Sequence, residues 1–134
     1  MIVVDTTVLA DFWASDFALK QAAHALLRED PDWIAIGLWR YELGSALSKY
    51  VRAGFFDSLH MKSFYSHSAE LLVETVDEID GGRIWDLSSS TGLTFYDAAH
   101  VWLAQSRGLR LRTRDKKILR VCPDVAVSMP TLET

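Results

Sequence analysis

The most constraining feature of this 134-residue chain is the stretch Thr94-Phe95-Tyr96-Asp97-Ala98-Ala99-His100-Val101-Trp102-Leu103-Ala104. Gly92 lies before it and Gly108 after it, so the spacing predicts one helix of about three to four turns. From Phe95 to Ala104, eight of ten residues are apolar, and they fall on every side of a helical wheel. A helix of that kind belongs in the middle of a protein. Asp97 is the anomaly, because an ionised carboxylate near a core costs free energy unless something compensates it. Thr94 and Asp97 also match the Ser/Thr-x-x-Asp/Glu capping box, which by itself would account for the acid. A functional reading requires further carboxylates to converge on the same point.

The rest of the chain supplies them. Ile2-Val3-Val4 is a short apolar run without alternation, the pattern of a buried parallel strand, and Asp5-Thr6-Thr7 follows at its carboxyl end. A helix starts at Val8 to Trp13, a second covers Ala18 to Arg28, and Trp33 to Ile36 is the next strand. Leu38 to Arg52 reads as a helix with Glu42 on the shoulder of its apolar stripe. Asp57 is placed to cap a helix running to about Val73, with a minor strand from Thr75-Val76 to Ile79. Gly82 to Ser90 reads as a short helix. Leu109, Leu111 and Thr113 alternate with Arg110, Arg112 and Arg114, which is strand periodicity. A helix from Asp115 to Val121 and a strand at Val125 to Val127 close the chain. Strands alternating with helices predict an α/β domain, a mainly parallel sheet of four to five strands covered on both faces, in one unit spanning 1–134.

Ligands of open parallel sheets bind beyond the carboxyl ends of the strands, where strand order reverses. Asp5, Glu42, Asp97 and Asp115 are therefore expected to meet at one end of the sheet. Crowded acids raise one another's pKa and repel, and a hard divalent cation reverses that. Mg2+ or Mn2+ held there would orient a phosphodiester and activate a water. The four histidines are scattered and the single cysteine, Cys122, offers no ligand spacing, which argues against zinc. His100 reads as a packed core histidine.

Charge points the same way. The net charge is −4, yet Arg107, Arg110, Arg112, Arg114, Lys116, Lys117 and Arg120 crowd half of the 14 basic residues into one short segment. Such a cluster is either an electrostatic footprint for phosphate or a set of ion pairs with the acidic stretch from Glu74 to Asp80. Arg112, Arg114, Lys116 and Lys117 are the candidate phosphate contacts. Trp13 and Trp39 lie near helix ends and are candidates for a groove that takes a partner helix. One cysteine, no basic leader before Val3 and no apolar run near the roughly 20 residues of a membrane span predict a soluble cytoplasmic protein.

Val3-Val4-Asp5-Thr6-Thr7-Val8-Leu9, Trp39-Arg40-Tyr41-Glu42-Leu43, Thr94-Phe95-Tyr96-Asp97-Ala98-Ala99 and Thr113-Arg114-Asp115 together resemble the PIN-domain nucleases, in particular the VapC-type toxins of toxin–antitoxin pairs. The resemblance runs over nearly the whole chain. It implies a three-layer α/β/α fold and an Mg2+- or Mn2+-dependent endoribonuclease site built from Asp5, Glu42, Asp97 and Asp115. Thr7 occupies a place where the family usually has Ser or Asn, and Thr7 and Thr113 would support the ligands from behind. RNA is the implied substrate, a cognate antitoxin the implied partner, and a homodimer the implied assembly. The rivals are a silent PIN-like binding module and a haloacid-dehalogenase-like phosphatase. The phosphatase needs a second Asp two positions after the first, where Thr7 stands.

Overall fold

The computed structural model describes residues 1–14 and 16–131. Five strands form one parallel sheet: β1 (Ile2–Val4), β2 (Trp33–Ile36), β3 (Leu72–Val76), β4 (Leu111–Arg112) and β5 (Ala126–Val127). Their order is β3-β2-β1-β4-β5, with Val3 beside Ile34 on one side and Leu111 on the other. The chain steps outward from β1 to β2 and β3, then returns to lay β4 on the opposite flank of β1. The crevice between the carboxyl ends of β1 and β4 is thus the point where strand order reverses.

Among the described residues seven α-helices connect the strands: α1 (Thr6–Phe12), α2 (Phe17–Glu29), α3 (Trp39–Arg52), α4 (Ser58–Ser68), α5 (Gly81–Thr91), α6 (Phe95–Arg107) and α7 (Lys116–Val121). Strand alternation sorts them into layers. Val4, Trp33 and Ala35 face a core built with α1 to α4, and Val3, Ile34, Ile36 and Leu111 face a core built with α5 to α7. The α/β expectation is met, with every strand pair parallel.

The helix α6 crosses β1, β2 and β4. Val101 and Leu103 are fully buried, each contributing on the order of 1.5–3 kcal/mol of transfer free energy. Left-handed Gly92 (φ 74°) ends α5 and Gly108 (φ 64°) ends α6, conformations that a side chain would strain. The expectation of burial all round fails at the amino end of α6, where Phe95 and Tyr96 are exposed. The expected helix to Val73 also fails. Here α4 stops at Ser68, a single 3-10 turn follows, and Leu72 to Val76 pair with β2 instead. The β-branched residues Val73, Thr75 and Val76 favour that choice, and the edge position tolerates the exposed Val73 and Glu74.

Candidate active site

Asp5 leaves the end of β1 and is buried. Its carboxylate caps α1 by accepting the Val8 N–H (3.3 Å), and it accepts the hydroxyl protons of Thr7 on one oxygen and of Thr113 on the other. The Thr113 oxygen in turn accepts the Asp115 N–H (3.0 Å), and Asp115 caps α7 through the Ile118 N–H (2.9 Å). One buried hydroxyl therefore ties Asp5 to the turn that carries Asp115, across the crevice between β1 and β4. Thr113→Val removes both bonds and leaves buried polar groups unmatched. It is expected to cost about 1–3 kcal/mol in urea unfolding.

Glu42 lies in the first turn of α3, half-buried. Its Oε1 accepts from the Thr6 hydroxyl (2.8 Å) and from Nε2 of the buried His100 (2.9 Å), which leaves His100 Nδ1 without a partner among the described residues. Burial pushes the Glu42 pKa up. The His100 hydrogen bond and charge, with the Thr6 hydroxyl, outweigh it and hold the carboxyl below its ordinary range.

Asp97 is the reverse case. The capping box is only half made: Thr94 Oγ1 accepts the Asp97 N–H (3.1 Å), while the Asp97 carboxylate makes no hydrogen bond among the described residues. Burial pushes its pKa up, the negative charge of Asp115 adds to that, Glu42 and Asp5 contribute further, and His100 opposes them. Asp97 therefore senses the charge of the other three predicted acids. Among the described residues, no three His, Cys, Asp or Glu side chains are gathered into a formed ligand cluster, so the four are coupled by charge rather than by contact. An all-oxygen donor set with a free, raised-pKa carboxylate at its centre nevertheless fits a hard divalent cation, which would relieve the repulsion that burial aggravates.

Three participants escaped sequence reasoning. His100 is buried as expected but belongs to the site, and its position three residues after Asp97, on the same helix face, was the available signal. Thr6 donates to Glu42. Asp11, almost wholly buried on α1, receives a two-pronged bond from Arg114 (Nε 2.6 Å, Nη2 3.0 Å). Several predicted cations are already engaged. Arg112 Nε donates to the Ser128 carbonyl (3.0 Å) and Lys117 Nζ to the Gly92 carbonyl (2.6 Å), while Lys116 is exposed. Arg107 grips Glu74 with two bonds, so for that residue the ion-pair alternative holds.

The tryptophans divide. Trp39 is no groove residue: it is buried in the core under α3, with its indole N–H donated to Thr75 Oγ1 (3.1 Å). Trp13 is half-buried, stacked on Phe64 at 4.7 Å, and lines an open groove of about 370 Å³ with Phe17 and Phe56.

An acidic site at the β1/β4 crevice of a five-stranded parallel sheet agrees with the family that the sequence matches. The PIN domain profile covers residues 2–123. The chain belongs to the PIN domain family. It is 34% identical over 109 residues to a protein described as exonuclease VapC9 of Pyrobaculum aerophilum, covering 73% of this chain and 78% of that one. A solved structure from the same organism, PAE2754, superimposes with a TM-score of 0.76 at 25% identity over 95% of this chain and 89% of that one. A toxin–antitoxin complex from Klebsiella pneumoniae shares the fold, with a TM-score of 0.71 at 21% identity, over 95% and 96% of the two chains.

Proposed function

We propose that this chain is a divalent-metal-dependent ribonuclease that hydrolyses phosphodiester bonds, and the toxin of a toxin–antitoxin pair. The observation that carries the reading is Asp97: a half-buried carboxylate without a hydrogen bond among the described residues, whose pKa is raised by burial and by the charges of Asp115, Glu42 and Asp5. Titratable groups perturbed by burial and by like charges cluster at functional sites. Asp5, Glu42, Asp97 and Asp115 would hold Mg2+ or Mn2+. When bound, the cation supplies charge neutralisation of the phosphate and a water of lowered pKa. Thr7 and Thr113 fix the two oxygens of Asp5, and Thr6 with His100 keeps Glu42 ionised.

Lys116 and Lys117, exposed beside Asp115, would attract the RNA backbone irrespective of sequence, whereas Arg112 and Arg114 are already engaged within the fold. Trp13, with Phe17 and Phe56, offers an apolar groove for an antitoxin segment. The VapC-type relative and the Klebsiella pneumoniae complex support that partner. We further propose a homodimer in the cytoplasm. No helix among the described residues is long and apolar enough to cross a membrane.

The test uses purified wild type with linear and circular RNA of the same sequence. Cleavage of both with Mn2+ or Mg2+, abolished by EDTA and restored by excess metal, is the expected result. Cutting of the linear form alone would make the enzyme an exonuclease, the activity in the name of the Pyrobaculum relative. Cleavage that survives EDTA would overturn the metal reading.

A further inference from the structure

Beyond the ends of β2 and β3 a second cleft opens, of about 340 Å³. Its floor is apolar, formed by Ile36, Leu38 and Ala99, and its walls are the rings of Tyr41, Phe95 and Tyr96. These rings do not serve the core: Tyr41 is 79% exposed, Tyr96 60% and Phe95 38%. Tyr41 immediately precedes Glu42 at the start of α3, and Tyr96 immediately precedes Asp97 at the start of α6. Two of the cleft's walls are thus one residue along the chain from two of the four acids.

The rim is polar. Arg40 Nη1 donates to Asp77 Oδ1 at 2.8 Å, and both groups remain open to solvent. The pair crosses above Gly37, where a Cβ would fall 2.2 Å from Asp77 Oδ1. A glycine is therefore required for the rim to close in this way. A volume of this size matches small planar ligands, and the rim presents one donor and one acceptor to a ligand edge.

We propose that this cleft takes an unpaired nucleobase of the RNA substrate, stacked on Tyr41 and Tyr96, with Arg40 and Asp77 at its edge. The inference rests on the ribonuclease reading and adds to it a site for one base of the strand. A strand whose phosphate lies at Glu42 and Asp97 has a neighbouring base within reach of the adjoining rings. Base–aromatic stacking tolerates any sequence and demands that the base be splayed out, so a continuous duplex is excluded. Flat rings with hydroxyl edges, joined to a polar rim and an acidic centre, suit a base better than the aliphatic face of a protein helix.

The wild-type chain, Tyr41→Ala/Tyr96→Ala and Tyr41→Phe/Tyr96→Phe are compared in EDTA, so that nothing is cut. Anisotropy of a fluorescein-labelled single-stranded oligoribonucleotide is read against an abasic ribose-phosphate strand of equal length. Wild type should prefer the base-bearing strand. The alanine pair should lose that preference, with affinity falling about tenfold or more, while binding of the abasic strand is unchanged and the phenylalanine pair holds most of the gain. Equal loss on both strands, or no loss, overturns the proposal. So does a variant that binds RNA normally but changes its mass in light scattering, since the rings then form a protein interface.

A parallel assay with Mn2+ separates the two readings. Wild-type cleavage together with an unchanged KM in the alanine pair sinks the nucleobase site and leaves the ribonuclease standing. Failure of wild type to bind or cut any RNA ends both.

Discussion

Asp97→Asn is expected to reduce kcat/KM on RNA by at least about a hundredfold while making the metal-free protein harder to unfold at neutral pH. The loss is set by the cost of supporting groups at metal sites, about 10–100-fold, which a ligand itself should exceed. The gain follows from linkage. Burial, then Asp115, Glu42 and Asp5, raise the folded pKa of Asp97 above its ordinary value. The ionised form is thus disfavoured by folding, so the carboxylate subtracts stability above that raised pKa. The deficit is recovered as pH falls through it. Asparagine removes the charge and gains most at pH 7, least in acid.

A capping role for the carboxylate makes the opposite prediction, because loss of a cap lowers stability by about 0.5–2 kcal/mol. Thermal melts of both proteins in EDTA at neutral and acid pH separate the two. Glu42 supplies the contrast. Burial raises its pKa, but His100 and Thr6 more than offset that, so Glu42 adds stability above the ordinary glutamate range. That contribution fades as pH falls through its lowered value.

The second large effect is in stability. Arg114→Ala is expected to cost about 3 kcal/mol in urea unfolding, near the low end for breaking a buried pair, since Arg114 itself is half-exposed. The asymmetry between the partners is the sharper test. Asp11 is buried, and burial already raises its pKa despite the Arg114 hydrogen bonds. Without Arg114 it becomes an uncompensated buried charge. Asp11→Ala alone should cost clearly less, because the freed guanidinium reaches water. Asp11→Asn placed in the Arg114→Ala background should return much of the loss. Equal costs for the two single variants would mean that the pair is a surface contact of small worth.

Much of this fold was legible in the chain because period and punctuation agreed. Ile2 to Val4 had nothing polar to alternate, and Gly92 and Gly108 bracketed α6 where the backbone turns left-handed. The failures lie where tertiary pairing overrode local pattern. The expected helix runs on to about Val73 and the minor strand begins only at Thr75, whereas pairing with the free edge of β2 starts the strand at Leu72 and ends it at Val76. Trp39 sits at a helix end in sequence yet is buried, because Thr75 on that same strand takes its indole proton. The acids could be named from spacing, since each follows a strand end or opens a helix at the same mouth. Among their supports, Thr7 and Thr113 came with the motifs and His100 had a helical spacing from Asp97, but Thr6 and the Asp11–Arg114 pair depend on side chains that meet only after the layers pack.

The Thr113 hydroxyl that joins Asp5 to the turn carrying Asp115 reaches back 108 positions of sequence to Asp5. A ribosome making this chain therefore delivers one half of the crevice at the start and the other only near the end. Until β4 docks beside β1, Asp5 lacks the Thr113 bond and Asp115 has no place to stand. The crevice is therefore a late product of folding, completed only when the last third of the chain has been added to the sheet that the first residues began.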